Sequence, residues 1–256
     1  MGVFLQNFQS SKMTTSDTQH ALAVVTGAAG GIGLEVVRRL LDTGYRVLAI
    51  DSDVSSLTSI PSEMLDLCEI DITDEDPVRE AIVHASTRTP LKALVCCAAI
   101  FPAQRLADIS NASWDRVFSV NVEGSLFACR AALPEMRRAG GGSIVLFASS
   151  LARTGGIGAA HYSASKGAIL GLARSLALSV VTENIRVNVV SPGLTDTAQP
   201  RANMTDQQLL DKAAGVPLKR MGEPKEMAEA AAFLLSDDAS FITGQDFRLN
   251  GGAGLF

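Results

Sequence analysis

A tyrosine and a lysine stand one helical turn apart in the second half of the chain. Tyr162 and Lys166 open an apolar helical stretch that runs to about Val181, and residues four apart on a helix share one face. A phenol is a poor acid or base at neutral pH, but a neighbouring cation stabilises the phenolate. The pair therefore predicts a tyrosine whose pKa is lowered from about 10 to about 8, which exchanges a proton with a substrate oxygen.

Two serines and a histidine accompany this pair. Ser149 and Ser150 follow an apolar β-type run just before the helical stretch, where a hydroxyl can donate a hydrogen bond to the substrate oxygen. His161 titrates near neutral pH, yet adjacent residues of a helix face different directions. We therefore expect His161 to be structural or to face the substrate, and not to share the role of Tyr162.

Glycines cluster between the first β-type run and the first helical pattern, in Thr26-Gly27-Ala28-Ala29-Gly30-Gly31-Ile32-Gly33. A backbone that turns sharply and approaches a pyrophosphate tolerates no Cβ, and the free N–H groups at a helix start attract the anion. An ordinary glycine-rich turn has a similar composition. The position at a first strand-to-helix junction favours a dinucleotide site.

Acidic residues follow the next two strands. Asp51 comes about 20 residues after the glycines, where a carboxylate accepts hydrogen bonds from ribose hydroxyls and repels a 2'-phosphate. This predicts NAD over NADP, unless Asp51 is only a solvated loop residue or Arg46 reaches the site from its strand. Asp71 closes the third strand and could bond the adenine edge or cap the helix that begins near Glu75.

These segments need a scaffold in which buried strands alternate with helices. The β-type runs lack apolar/polar alternation, which indicates strands buried on both faces. The predicted fold is α/β: a single-domain Rossmann fold with a doubly wound, mostly parallel sheet of about seven strands and helices on both faces. The runs that define it are 22–25, 47–50, 91–97, 143–147 and 185–190.

The chain is expected to hold one catalytic domain over residues 21–256. Residues 1–20 are rich in Ser, Thr and Gln without periodicity, so a mobile tail is expected there. A substrate lid is expected near 198–215, where the rhythm of strands and helices is interrupted before a last helix. Arg153 and Arg201 are the basic residues near the predicted pocket, which favours a largely neutral alcohol or ketone.

Composition argues against other classes of partner. With 47% hydrophobic residues, 19% charged residues and a net charge of -5, the chain is typical of a globular cytoplasmic enzyme and not of a nucleic-acid binder. We expect no apolar run to approach the roughly 20 residues that cross a bilayer, so no membrane partner is expected.

The cysteines are not expected to carry chemistry. Cys68, Cys96, Cys97 and Cys129 lack the paired spacing of a zinc site and are predicted to be buried free thiols, so no metal is expected. Cys96 and Cys97 would face opposite sides of a strand without an activating cation.

Five motifs occur together in an order and spacing that is typical of one family. They are the turn Thr26 to Gly33, Asn121-Val122-Glu123-Gly124, Ser149 with Tyr162-x-x-x-Lys166, Pro192-Gly193, and Ile242-Thr243-Gly244-Gln245. From Leu22 to about Gly252 the chain thus resembles the short-chain dehydrogenase/reductase family.

The resemblance implies a role for each catalytic candidate. Tyr162 is the acid/base, Lys166 also holds the nicotinamide ribose, Ser149 rather than Ser150 orients the carbonyl, and Asn121 supports a water-linked proton path. Alternatively, Asn121 only satisfies backbone groups within its helix. The resemblance also implies a homotetramer.

Cofactor contacts are expected from the glycine turn, the strand ends and the segment after the sixth strand. They are Gly27, Gly31, Ile32, Gly33, Asp51, Asp71, Ile72, Ala98, Tyr162, Lys166, Pro192, Gly193, Thr195 and Thr197. Residues 192–197 could instead form a plain loop.

The chain departs from the family pattern at two places. Cys96-Cys97-Ala98-Ala99 stands where many relatives have Asn-Asn-Ala-Gly, so asparagine hydrogen bonds are missing there. Asn250 stands where many relatives have Asp, which bears on assembly or sheet closure. Neither change removes a catalytic group.

The predicted function is hydride transfer between NAD(H) and a secondary alcohol or ketone, such as a polyol, a sugar, a hydroxy steroid or a 3-oxoacyl-type substrate. Alternatives on the same fold are a cis-dihydrodiol dehydrogenase, a non-redox dehydratase or epimerase, and a cofactor-sensing protein. A sensor would be expected to have lost the tyrosine or the lysine, and this chain has both.

Overall fold

Seven parallel strands form one sheet in the order β3-β2-β1-β4-β5-β6-β7. The structure is a computed structural model that describes residues 21–254; the tail predicted over 1–20 lies outside the described residues. The strands are β1 (Leu22–Thr26), β2 (Arg46–Asp51), β3 (Leu65–Glu69), β4 (Leu91–Cys96), β5 (Gly142–Phe147), β6 (Ile185–Pro192) and β7 (Asp246–Leu249). Each run predicted as a strand forms one, and the doubly wound α/β fold is confirmed.

Helices connect the strands and cover both faces of the sheet. They are α1 (Gly31–Asp42), α2 (Glu75–Ser86), α3 (Asn111–Phe118), α4 (Gly124–Arg138), α5 (Leu151–Thr154), α6 (Ala160–Val180), α7 (Ala198–Asn203), α8 (Asp206–Gly215) and α9 (Pro224–Leu235). A π-helical segment, Ser119–Glu123, joins α3 to α4. The predicted lid region 198–215 thus contains α7 and α8, and the predicted last helix is α9.

Alternate residues of the strands enter two separate cores. Leu22 and Val24 of β1 pack with α2, α4 and α6 on one face. Ala23 and Val25 of the same strand pack with α1 and α9 on the other face. Burial on both faces explains why the strands read as continuous apolar runs.

The order of the strands reverses between β1 and β4. The chain runs outward from β1 to β2 and β3, then crosses to β4 on the other side of β1. In an open α/β sheet, this reversal leaves a crevice at the carboxyl ends of the two central strands. The glycine turn after β1 and residues 97–101 after β4 both lie at that edge.

Three details differ from the sequence-based expectations. The strand β3 ends at Glu69, so Asp71 lies in the turn that follows and does not close the strand. The strand β7 forms after α9 from a short stretch outside the predicted runs. The register of α3 and α4 shifts through a π-helical segment, so Asn121 does not lie in a regular α-helix.

One helix contradicts the expectation about apolar runs. The stretch Ala160–Glu183 is long and apolar enough, by length and composition, to cross a membrane. In the fold, however, α6 packs on the sheet through Ile169, Ala173 and Ala177, all buried. Core helices pass the same test because one face is apolar for packing.

Candidate active site

A cleft of about 480 Å³ opens at the strand reversal. Five of the residues predicted to contact a cofactor line it: Gly27, Asp51, Asp71, Ile72 and Ala98. The sheet topology brings them together, because they follow the carboxyl ends of β1, β2, β3 and β4. The size and position of the cleft are typical of a site for a nucleotide.

The glycine turn is packed so closely that side chains are excluded. Gly27 has φ +65, and a Cβ there would lie 2.4 Å from the backbone nitrogen of Ala98. A Cβ on Gly33 would lie 2.0 Å from the carbonyl oxygen of Gly27. The turn delivers the chain into α1 at Gly31, and no side chain caps this helix start at Gly30. Uncapped N–H groups beside a cleft are suited to bind a phosphate.

The segment predicted to be a lid begins against this turn. A Cβ on Gly31 would lie 2.8 Å from the Cγ2 atom of Thr197, and Thr197 directly precedes α7. Two predicted cofactor residues from distant parts of the chain therefore touch. Ile32 is partly buried against the core that contains α1 and α9.

Asp51 lies at the end of β2 and faces the glycine turn. Its Oδ2 atom accepts a hydrogen bond from the backbone N–H of Ala29 at 2.9 Å, and its Oδ1 atom accepts one from Asp53 at 3.3 Å. Arg46 lies at the opposite end of the strand, roughly 16 Å away at strand rise. It forms a two-point ion pair with Asp66, at 2.7 Å for each bond, so the alternative that Arg46 reaches the site is wrong.

Asp71 faces the cleft from the turn after β3. Its carboxylate accepts bonds from the backbone N–H and the hydroxyl of Thr73 and pairs with Arg116 at 3.2 Å. These hydrogen bonds and the charge of Arg116 hold the pKa of Asp71 below its ordinary value. Asp71 does not cap α2, because the residue that precedes this helix is Asp74.

Tyr162 and Lys166 share one face of α6, as their spacing predicts. The Nζ atom of Lys166 lies 5.8 Å from the centroid of the Tyr162 ring and donates to the carbonyl oxygen of Phe147 at 2.8 Å. Both side chains are buried. Cys97 lines the cleft and lies close enough to Lys166 for the charge of the lysine to act on the pKa of its thiol. The pair therefore adjoins the cleft.

Burial dominates the ionisation of both groups. It raises the pKa of Tyr162 from 10.0 to about 12, against a hydrogen bond with Ser149 that lowers it. It lowers the pKa of Lys166 from 10.5 to about 8. The expectation of a Tyr162 pKa near 8 is therefore wrong for the protein by itself, because the phenol is removed from water and the lysine bonds to Phe147.

Ser149 and Ser150 differ in their surroundings. Ser149 follows β5 and accepts a bond from the N–H of Leu151 at 3.2 Å, and its hydroxyl lies close enough to the Tyr162 phenol to lower the pKa of that group. The hydroxyl of Ser150 is buried without a partner among the described residues. The structure thus places Ser149, and not Ser150, at the phenol.

Asn121 is fully buried in the π-helical segment. Its Oδ1 atom accepts from the N–H of Ile100 at 2.8 Å, and its Nδ2 atom donates to the Ile100 carbonyl at 3.1 Å and to Ser165 at 3.0 Å. It therefore fixes the chain after β4 beside α6. Because these partners lie in the loop after β4 and on α6, the alternative that Asn121 only satisfies backbone groups within its own helix is wrong.

His161 lies beside Tyr162 but does not face it as a partner in catalysis. Its Nδ1 atom accepts from the N–H of Tyr162 at 3.0 Å, and its Nε2 atom is buried without a partner in the described chain. Burial lowers the pKa of His161, which favours the neutral ring. These contacts are structural.

The cysteines contradict one expectation and confirm another. Cys96 and Cys97 enter opposite cores, as predicted for neighbours on a strand. Lys166 is close enough to act on Cys97, so the expected absence of a cation is wrong; burial nevertheless raises the pKa of the Cys97 thiol. All four cysteines are free, with Cys96 and Cys129 buried and Cys68 and Cys97 partly exposed.

The segment after β6 is held by backbone bonds. Gly193 donates to the carbonyl oxygen of Leu249 at 2.8 Å, and a Cβ there would lie 2.7 Å from the Cα atom of Asn250. Thr195 is buried and its hydroxyl donates to the carbonyl of Gly193 at 3.2 Å. Pro192 ends β6. This is a constrained segment and not a loose loop.

Two site residues were missed from the sequence. Phe101 stacks on Tyr162 with ring centroids 4.4 Å apart, and Arg116 of α3 lines the cleft beside Asp71. Neither lies in a motif. The signal for Phe101 is weak: a single aromatic residue a few positions after a strand.

Comparisons with known proteins agree with this geometry. A family model described as enoyl-(acyl carrier protein) reductase matches residues 27–254. The chain is 33% identical to dehydrogenase/reductase SDR family member 4 of Oryctolagus cuniculus, over 95% of this chain and 98% of that protein. It is 36% identical to cis-4-hydroxycyclohexanecarboxylate dehydrogenase of Sinomonas cyclohexanicum, over 90% and 95%.

A solved structure has the same architecture. The ligand-free aldohexose dehydrogenase of Thermoplasma acidophilum superposes with a TM-score of 0.86 at 31% identity, covering 94% of this chain and 96% of that one. Fold, motifs and relatives agree over nearly the whole length of the described residues. The chain belongs to the short-chain dehydrogenase/reductase family.

Proposed function

We propose that the protein is an NAD-dependent dehydrogenase that interconverts a neutral secondary alcohol and its ketone. Family membership supports the broader part, an oxidoreductase that acts on CH–OH groups. The observation that carries the proposal is the buried pair Tyr162 and Lys166, with the partly exposed Ser149 next to the phenol, beside the nucleotide-sized cleft.

The residues of the cleft fit a dinucleotide. The glycine turn presents an uncapped helix start to the cleft, and side chains are excluded where the backbone must approach closely. Asp51 lines the same cleft at the end of β2. When bound, the nicotinamide cofactor supplies or accepts the hydride.

Three side chains carry the proton chemistry in this proposal. The Oη atom of Tyr162 takes the hydroxyl proton during oxidation and returns it during reduction. Ser149 donates a hydrogen bond to the substrate oxygen, and the charge of Lys166 favours the phenolate once the site is loaded. We assign Asn121 the support of a proton path, through its fixed position against Ser165 and Ile100.

The preference for NAD follows from charge at the end of β2. A 2'-phosphate would approach the carboxylate of Asp51, while the nearest basic residue of that strand, Arg46, is held by Asp66. Arg116 on the opposite wall is paired with Asp71. The site therefore favours a free ribose over a phosphorylated one.

The substrate is proposed to be neutral because the nearby cations are already paired. Arg153 pairs with Asp246 at 3.0 Å, and Arg201 pairs with Asp196 at 2.7 Å. A carboxylate or phosphate on the substrate would have to displace one of these partners. Phe101 adds an apolar surface against Tyr162.

A screen of cofactor reduction tests the function. Purified protein is incubated with NAD or NADP and a panel of secondary alcohols, polyols, sugars, ring diols and 3-hydroxyacyl thioesters at alkaline pH. We expect an increase in absorbance at the NADH wavelength with neutral secondary alcohols. If no member of the panel reduces either cofactor, while the ketones also fail to oxidise NADH, the proposal is wrong.

We also propose a cytoplasmic homotetramer, which follows from the family resemblance and the composition. Sedimentation velocity of the purified chain tests the assembly. A monomer at micromolar concentration would contradict it.

A further inference from the structure

The loop after β4 places an aromatic ring on the catalytic tyrosine. The rings of Phe101 and Tyr162 are stacked, with centroids 4.4 Å apart and an interplanar angle of 27°. Such a contact restrains the tyrosine ring and keeps water from one of its faces. The backbone position of Phe101 therefore influences how Tyr162 is oriented.

Asn203, the last residue of α7, joins this loop to the lid. Its Nδ2 atom donates to the carbonyl oxygen of Phe101 at 3.0 Å, and its Oδ1 atom accepts from the N–H of Ala103 at 3.2 Å. The same Nδ2 atom donates to the carbonyl oxygen of Gln199, one turn earlier in α7, at 2.9 Å. A single amide thus uses three of its four hydrogen-bonding positions to tie two segments together.

The far end of the loop is held by other elements. The N–H of Gln104 donates to the carbonyl oxygen of Gly158 at 3.0 Å, and its side chain accepts from Ser113 of α3 at 2.6 Å. These contacts are independent of the lid. Within residues 21–254, the hydrogen bonds found between residues 101–104 and the lid are those of Asn203.

The lid helix is therefore attached at both ends. Thr197, which precedes α7, packs on Gly31 of the glycine turn. Asn203, which ends α7, bonds to the loop that carries Phe101. One short helix spans from the cofactor side of the site to the ring that covers Tyr162.

We propose that Asn203 is a positioning residue, which latches α7 to residues 101–104 and thereby holds Phe101 against Tyr162. Its effect on turnover rests on the proposed dehydrogenase function. Its effect on the lid rests on the hydrogen bonds alone, so the two can be measured separately.

Two variants and a control test the latch in the full chain. Asn203→Ala removes all three hydrogen bonds. Asn203→Asp retains an acceptor for Ala103 but loses both donations and places a carboxylate beside two carbonyl oxygens. The control is Gln207→Ala, since the amide of Gln207 bonds only to Asp211 on the exposed face of α8 among the described contacts.

Hydrogen–deuterium exchange of the cofactor-free protein gives the readout that needs no substrate. Peptides covering residues 101–105 and 198–204 should exchange about tenfold faster in both Asn203 variants, because hydrogen bonds that hold these two segments together are lost and the segments open locally more often. The peptide that covers β5 should be unchanged, which shows that the variants are folded. Gln207→Ala should exchange like the parent protein in the 101–105 peptide.

Steady-state kinetics with the best alcohol of the screen gives the second readout. Both Asn203 variants should lose about tenfold in kcat/KM, shared between a higher KM for the alcohol and a lower kcat. The dissociation constant of NADH, measured by its fluorescence, should stay within about twofold of the parent value. A purely structural role would leave the KM of the folded fraction unchanged.

The outcomes separate the latch from the proposed function. Unchanged exchange in residues 101–105 would overturn the latch whatever the activity. Faster exchange with unaltered kcat and KM would overturn the positioning role. A parent protein without any NAD(P)-dependent activity would overturn the proposed function, while the exchange data would still decide whether Asn203 holds the lid.

Discussion

Lys166, buried on α6, donates a hydrogen bond of 2.8 Å to the carbonyl oxygen of Phe147, the last residue of β5. Burial lowers the pKa of its ammonium group to about 8. At pH 7 the lysine is therefore still charged in the folded protein, where the charge is less stable than it would be in water. Burial of this charge does not favour the folded state, so the position of the lysine is consistent with the role proposed for it beside Tyr162.

Replacing this lysine should therefore stabilise the fold. The lowered pKa corresponds to a cost of about 3 kcal/mol at pH 7, and losing the bond to Phe147 offsets about 1 kcal/mol of that. For Lys166→Met we expect a net gain of about 2 kcal/mol in the free energy of unfolding, measured by urea denaturation of the cofactor-free protein. The exposed Lys212→Met should change it by less than about 0.5 kcal/mol.

The pH dependence of this gain has a definite sign. Between about pH 8 and 10.5 the unfolded lysine binds a proton that the folded one has lost, so the parent protein becomes more stable relative to the variant as pH rises. The advantage of Lys166→Met should shrink across that window and reverse above it, where only the loss of the bond to Phe147, about 1 kcal/mol, remains. An advantage that grows with pH would contradict a buried ammonium group.

The glycine turn predicts a sharp contrast between two neighbouring substitutions. In Gly33→Ala the new Cβ would meet the carbonyl oxygen of Gly27 at 2.0 Å, whereas in Gly30→Ala it would meet the same oxygen at an ordinary 3.4 Å. Because backbone atoms cannot move aside cheaply, we expect Gly33→Ala to lose more than about 3 kcal/mol of stability. The free energy of unfolding of Gly30→Ala should lie within about 1 kcal/mol of the parent value. Thermal melts of both variants check this.

Asp51 is predicted to set the choice between the two nicotinamide cofactors. Asp51→Ala removes the carboxylate that would repel a 2'-phosphate, so the ratio of kcat/KM for NAD to that for NADP should fall about tenfold or more. The control is Glu63→Ala, which removes an exposed carboxylate that does not line the cleft and should leave the ratio unchanged. A parent protein that already works better with NADP would refute the assignment.

The sequence predicted the scaffold well because its signals are local and repeated. Strands buried on both faces are continuous apolar runs, and the spacing of Tyr162 and Lys166 survives as one face of α6. The glycine turn likewise depends on backbone sterics that belong to glycine alone. Such features need no knowledge of distant contacts.

The parts that were wrong or missed depend on contacts between distant segments. The pKa of Tyr162 is raised by burial under several elements, and the partner of Arg46 is Asp66 on the neighbouring strand. Phe101 acquires its place only when the loop after β4 lies over α6. Periodicity and spacing carry no information about such neighbours.

The most direct test of the account replaces the phenol that is proposed to exchange the proton. Tyr162→Phe, compared with Tyr45→Phe at the other tyrosine of the chain, is assayed for kcat with the best alcohol and for NADH binding by fluorescence. We predict that Tyr162→Phe lowers kcat by at least about a thousandfold, while its Kd for NADH stays within about threefold and Tyr45→Phe retains most of the activity. Turnover by Tyr162→Phe within about tenfold of the parent value would contradict the central role of this residue.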